Sequence, residues 1–182
     1  MIVTKSNIEG VLILEPKVFG DSRGYFMESF SQRDFAAATG LEVEFVQDNQ
    51  SLSHKGVLRG LHFQHAPHAQ AKLVRVVRGK VLDVAVDLRP SSPTFGGYVA
   101  VELSGDNHRQ LFIPKGFAHG YLTLEDDTIF QYKCDEYYHP ASEGGIAWND
   151  PQIAIDWGVS EEEVTLSTKD KAWPLLKDLC EF

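Results

Sequence analysis

A chain of 182 residues, 43% hydrophobic and 24% charged, has the composition of an ordinary globule, and at this length roughly 70% of the unfolded surface is buried, enough for a real core. A formal net charge of −9 argues against nucleic acid as a partner, because phosphate contact needs a basic face. No run approaches the ~20 apolar residues that cross a bilayer, residues 1–10 lack the apolar core of a secretory leader, and two distant cysteines, Cys134 and Cys180, suit a reduced, cytoplasmic setting.

In chain order, residues 11–14 read as a short buried strand, followed by Pro16, which cannot donate to a ladder. Asp21, Ser22 and Gly24 mark a turn, and strand character resumes over 25–30, with Glu28 inside it. Ser31 reads as a helix N-cap with Asp34 at N3, and Gly40 as the stop, giving one short helix. Residues 42–49 return to strand and end in the polar triplet Gln47, Asp48, Asn49. Strands then follow at 57–64, 72–78, 80–88, 98–103, 109–113, 121–124 and 128–134, punctuated by Gly, Pro and Asp turns. In the third of these, Leu82, Val84, Val86 and Leu88 make one apolar face, and Asp83 and Asp87 lie on the other. Residues 169–180 read as helical again, broken near Pro174. No repeat or low-complexity linker divides the chain, so one domain over 1–182 is expected.

The 57–64 strand carries Arg59 and His62, and Lys72 opens the next strand. A lone strand histidine is ordinarily a packed ring. An imidazole near an arginine, with a lysine entering the neighbouring strand, suits chemistry on an anion, and its unperturbed pKa of about 6.5 suits a general base. Lys72, otherwise a solvated edge lysine, can sit beside an oxygen that becomes negative; a preorganised cation at an enolate is worth about 3 kcal/mol. Tyr132, otherwise an aromatic core residue, can deliver a proton from the face opposite the base. Arg59 and Arg23 can each hold a pyrophosphate by a planar fork, or serve as a surface ion pair and a turn residue. Strict alternation sets Arg59 on the opposite face from His62 unless Gly60 carries a bulge.

The P-K-G-F-A-H run at 114–119 resembles the second conserved box of cupins. The fold expected is therefore all-β, a cupin-like double-sheet jelly-roll barrel with a few short helices and a site in its mouth. His62 and His119 can then be a metal pair, with His65 and His68 close by. Against that, the first box lacks H-x-H followed by Glu, and Lys72 falls in the same region, where a cation beside a metal is unfavourable. No metal is expected, and His65 and His68 read as loop surface. Tyr137, Tyr138 and Glu143 lie on a loop, either covering the barrel or offering a nucleobase a stacking platform with a carboxylate nearby.

Several motifs stand in order along nearly the whole chain. They include L-I-L-E-P-K-V-F-G-D at 12–21 with Arg23-Gly24 after it, F-V-Q-D-N at 45–49, R-G-L-H-F-Q at 59–64 and A-Q-x-K-L-V at 69–74. D-V-A-V-D at 83–87, S-P-T-F-G at 92–96, S-E-G at 142–144, W-N-D at 148–150 and L-S-x-K-D at 166–170 continue the series. Together they make the chain resemble the dTDP-4-dehydrorhamnose 3,5-epimerase family. The resemblance implies a cofactor-free isomerase that inverts C3 and C5 of dTDP-4-dehydro-6-deoxy-D-glucose, giving dTDP-4-dehydro-L-rhamnose on the way to dTDP-L-rhamnose. It implies His62 as proton acceptor, Asp170 as its orienting partner, Tyr132 as proton donor and Lys72 beside the enolate oxygen. It implies substrate binding by Arg23, Glu28, Gln47, Asp48, Asn49, Arg59, Lys72, His119, Glu143 and Lys169, with Tyr138 stacking on thymine. It also implies a homodimer whose N-terminal segment reaches into the partner's site, so that Arg23 serves the neighbouring subunit. Three alternatives stay open: an epimerase acting at C3 alone, against which Tyr132 weighs; a metal-dependent cupin oxygenase with His62 and His119 as ligands; and a non-catalytic barrel that binds the sugar nucleotide.

Overall fold

The computed structural model describes residues 1–179, so Cys180 lies outside the described residues. In chain order the elements are β1 (Ile2–Lys5), β2 (Leu12–Glu15), β3 (Val18–Asp21), β4 (Gly24–Met27), α1 (Gln32–Thr39), β5 (Gln47–Ser53) and β6 (Leu58–Gln64). They continue with β7 (Lys72–Arg78), β8 (Lys80–Asp87), β9 (Tyr98–Ser104), β10 (Gln110–Ile113), β11 (Phe117–Thr123), β12 (Thr128–Cys134) and β13 (Glu143–Gly145). Two antiparallel sheets face each other, one ordered β1-β2-β10-β7-β12-β5 and the other β13-β6-β11-β8-β9, while β3 and β4 form a separate hairpin. This is the cupin-like double-sheet barrel. Among the described residues no helix is long and apolar enough to cross a membrane.

Local chemistry accounts for the single α-helix. Ser31 accepts from the Asp34 N–H, and Gly40, at φ +73°, closes the other end with its own N–H bonded to the Ala36 carbonyl. Buried Phe35 packs it on Leu12, Leu14, Leu73 and Phe112, outside the six-stranded sheet.

The space between the sheets is filled from both sides by Val74, Val76, Leu111, Ile113 and Phe130 against Val81, Ala85, Val99, Val101, Leu103 and Phe117. A second cluster lies outside the five-stranded sheet, where Ile146, Trp148, Ile153, Trp157 and Leu176 cover Leu58, Val84, Val86, Leu88, Ala118 and Leu122. The apolar face read along β8 therefore packs under the C-terminal segment, and Asp83 on its other face points between the sheets, fully buried. That segment contains no α-helix: residues 169–179 make two short 3-10 turns, Asp170–Ala172 and Leu176–Asp178, flanking Pro174. Its backbone is satisfied by the barrel instead, as where Ala147 donates to the Pro174 carbonyl and Thr165 to that of Gly56.

Three strands depart from their expected positions, and the first is β4, which ends at Met27 and leaves Glu28 outside it. The polar run starting at Gln47 begins β5 rather than ending a strand, because all seven of its residues pair with β12. β11 starts at Phe117, so His119 lies inside a strand directly opposite His62.

Candidate active site

A cavity of about 720 Å³ opens between the sheets, a size that suits a small organic ligand. β6 and β11 of one sheet bring Arg59, His62 and His119 to it; β7, β12 and β5 of the other bring Lys72, Tyr132 and Asn49. His62 and Tyr132 thus enter from facing walls. Arg59 reaches the same cavity as His62 because β6 carries an extra residue. Three steps from Arg59 to His62 face only two from Tyr121 to His119 across the ladder. Gly60, at φ +133°, makes this bulge, and a Cβ there would stand 2.5 Å from the Gly120 Cα.

His62 Nε2 lies 2.5 Å from Asp170 Oδ1. Asp170 is held from its other side by Ser167, whose hydroxyl donates to Oδ2 at 2.8 Å and accepts the Asp170 N–H at 3.0 Å. Burial alone would raise the Asp170 carboxyl, but the hydrogen bonds from His62 and Ser167 outweigh it and hold the pKa below its usual value. An ionised carboxylate only accepts, so Nε2 carries a proton, and in the neutral imidazole the free lone pair is then the one on Nδ1. Trp173 packs edge-on against the imidazole, ring centroids 6.0 Å apart, and fixes its plane.

Lys72 is 8% exposed. Burial lowers its pKa, partly offset by the nearby Cys134, Asp83 and Glu143. Burial pushes the Tyr132 phenol up to about 12, with Cys134 and Tyr121 adding to the effect. Cys134, opposite Lys72 in the ladder, is raised to about 11 by burial and stays a thiol. His119 forms a second imidazole–carboxylate pair, its Nε2 lying 3.1 and 3.0 Å from the two oxygens of buried Asp83. The polarity changes outward, where Arg59, Tyr138 and Lys169 are exposed at the rim. There Lys169 Nζ donates to Glu143 Oε1 at 2.7 Å and the Tyr138 hydroxyl to Glu143 Oε2 at 3.1 Å.

The cavity therefore gathers His62, Lys72, Tyr132, Asp170, Gln47, Asn49, Arg59, His119, Tyr138, Glu143 and Lys169. Three residues expected in it are elsewhere in this chain. Asp48 alternates to the opposite face of β5, where it pairs with Lys133 at 2.9 Å. Arg23 sits at the tip of the exposed β3–β4 hairpin, ion-paired with Asp21, and Glu28 follows that hairpin, exposed. Sequence reasoning missed Asp83 and Ser167 as site residues. Asp83 was read on the polar face of its strand, where it lies, but was given no partner, whereas Ser167, three positions before Asp170, has the spacing of a side-chain cap and was legible on that ground. His65 and His68 do not line the cavity, and among the described residues no cluster of three or more His, Cys, Asp or Glu could hold a metal ion.

Comparison with known proteins agrees with this architecture. The family model described as dTDP-4-dehydrorhamnose 3,5-epimerase matches residues 5–178. A dTDP-4-dehydrorhamnose 3,5-epimerase from Salmonella typhimurium is 58% identical over 176 residues, covering 97% of this chain and 96% of that one. The crystal structure of a dTDP-6-deoxy-D-glucose-3,5-epimerase from Legionella pneumophila in complex with dTDP-4-keto-L-rhamnose superposes with a TM-score of 0.94 at 52% identity, covering 98% and 94% of the two chains. A 3'-monoepimerase from Streptomyces bikiniensis in complex with dTDP-quinovose is 35% identical with a TM-score of 0.87, covering 94% and 86%. A double mutant of that monoepimerase replaces a histidine and a tyrosine seventy positions apart, the separation of His62 and Tyr132 here. With a family model spanning nearly its whole length and relatives above half identity, this chain belongs to the dTDP-4-dehydrorhamnose 3,5-epimerase family.

Proposed function

We propose that this chain inverts C3 and C5 of dTDP-4-dehydro-6-deoxy-D-glucose, with His62 as base, Lys72 as the cation beside the C4 oxygen and Tyr132 as acid. The observation that carries the reading is the entry of His62 and Tyr132 from facing sheets into one cavity. The C4 ketone acidifies both neighbouring carbons. His62 Nδ1 takes a proton from one of them, the electron pair moves onto O4 as an enolate, and the Lys72 ammonium offsets the new charge. The Tyr132 phenol, kept protonated by its raised pKa, returns a proton to the other face of that carbon. One inversion leaves an imidazolium and a phenolate, so both must exchange with solvent before the second. The open rim allows that exchange.

At the rim, Arg59 and Lys169 suit the diphosphate and exposed Tyr138 suits the thymine face. These cations give the dianionic substrate a favourable local field on a chain whose net charge is −9. Tyr132 does not by itself separate double from single epimerisation, since the monoepimerase has a tyrosine at the same separation from its histidine. The higher identity to 3,5-epimerases supports the double reaction. We further propose a homodimer. The β3–β4 hairpin exposes Phe19, Tyr25 and Phe26 at 53%, 57% and 70%, and it carries Arg23 away from its own cavity, as a segment serving a partner's site does. One family model matches residues 5–178, which supports a single catalytic domain. A charged nucleotide-sugar substrate that does not cross membranes fits the cytoplasm.

Incubation with dTDP-4-dehydro-6-deoxy-D-glucose in D2O containing EDTA, followed by NMR, tests the reaction. Deuterium is expected at both C3 and C5, and at neither with His62→Ala. Undiminished exchange by His62→Ala would remove the base assignment, and activity that needs metal restored after EDTA would favour the oxygenase-type site.

A further inference from the structure

We infer that Gln64 is a positioning residue that presets the Tyr138 ring and so tunes recognition of the nucleobase end of the substrate. The inference rests on the reading of Tyr138 as the thymine platform. Tyr138 is 51% exposed, so core packing does not hold its ring; its direction depends on the Glu143 bond at its hydroxyl and on the backbone that carries it. That backbone is fixed by side chains. Gln64 closes β6 two residues after His62 and is 7% exposed. Its Oε1 accepts the His139 N–H at 2.7 Å, and its Nε2 donates to the Tyr137 carbonyl at 3.2 Å and to the His68 carbonyl at 2.7 Å. The peptide groups on both sides of Tyr138 are thus bound to one carboxamide, while the Tyr138 N–H itself donates to Gln47 Oε1 at 3.0 Å. The His68 and His139 rings stack 3.9 Å apart and 8° from parallel, closing the same seam.

The amide is chemically required here. Two carbonyls need donors and one N–H needs an acceptor, which a carboxylate or an alkyl group of similar length cannot supply together. An exposed aromatic contributes full stacking energy only when its orientation is set before the ligand arrives. The two loops tied by Gln64, at 65–68 and 137–139, are where the motif R-G-L-H-F-Q ends and the rim begins, so the strand that positions the base also positions the platform.

Titration of the full-length protein with dTDP and, separately, with inorganic pyrophosphate tests this. Gln64→Leu is expected to weaken dTDP about tenfold, the scale of a lost base–aromatic stack, while leaving pyrophosphate unchanged within about twofold. KM should rise by a similar factor with kcat nearly constant. Tyr138→Ala should give the same selective loss. A parallel fall of both ligands in Gln64→Leu would reduce the residue to general scaffolding and overturn the inference. A selective loss in Tyr138→Ala without one in Gln64→Leu would overturn it while leaving the platform reading intact. An unchanged dTDP affinity in Tyr138→Ala would instead remove the platform reading. Should Gln64→Leu fail to fold, Gln64→Glu serves: its dTDP affinity relative to wild type should recover as pH falls and the carboxyl regains a donor, and a ratio flat with pH would count against the proposal.

Discussion

Each reacting group owes its state to its immediate neighbours. Asp170 takes up Nε2 of His62 and leaves Nδ1 as the nitrogen proposed to act as base, and Ser167 holds Asp170. Lys72 was legible in the sequence because it enters the strand next to the one that carries Arg59 and His62; what the sequence concealed was its near-complete burial, which comes from packing between the sheets. That burial lowers its pKa, so the unfolded chain holds this proton more tightly. Between the lowered value and the ordinary one of about 10.4, stability therefore rises with pH. Lys72→Met should raise folding stability by about 1–3 kcal/mol at neutral pH while cutting kcat at least about a hundredfold. The stability gain should shrink as pH approaches 10, which calorimetry across pH would read. A pH–rate profile is expected to show kcat falling on the alkaline side with Lys72 rather than Tyr132, because Lys72 is lowered by burial while Tyr132, at about 12, keeps its proton longer.

Among elements, β6 decides whether the site exists. Alternation rules read from sequence set Arg59 and His62 apart, and only Gly60 hinted at the resolution. The ladder contains the bulge, and Gly60 meets Gly120 so closely that neither position has room for a side chain. Gly60→Ala should destabilise the fold by more than about 2 kcal/mol in urea unfolding and strip activity from whatever remains folded. Wild-type stability would show that the bulge is not what sets the two residues side by side. β5 was hard to read because its residues, largely polar, line a polar cavity on one face. The two faces of β8 were separated correctly, but not which of them points between the sheets, because the layer covering the apolar one comes from 146–179, distant in sequence. The α1 caps, by contrast, are purely local chemistry and were read correctly.

For the whole molecule, the barrel and its facing walls were legible from strand spacing and from P-K-G-F-A-H, whereas the role proposed for Arg23 needs a second subunit. If Arg23 acts in the partner's site, mixing inactive Arg23→Ala with inactive His62→Ala under exchange conditions should restore about a quarter of wild-type activity, since half the dimers are then mixed and each holds one intact site. No recovery would place the action of Arg23 within its own chain and contradict the exchange. The central claim is that one sheet removes the proton and the other returns it. NMR of Tyr132→Phe in D2O addresses this directly, by following label in recovered substrate and in product. The account predicts that deuterium still enters C3 or C5 with configuration retained, as His62 returns what it removed, while inverted product falls steeply. Inverted product forming at the wild-type rate would contradict it.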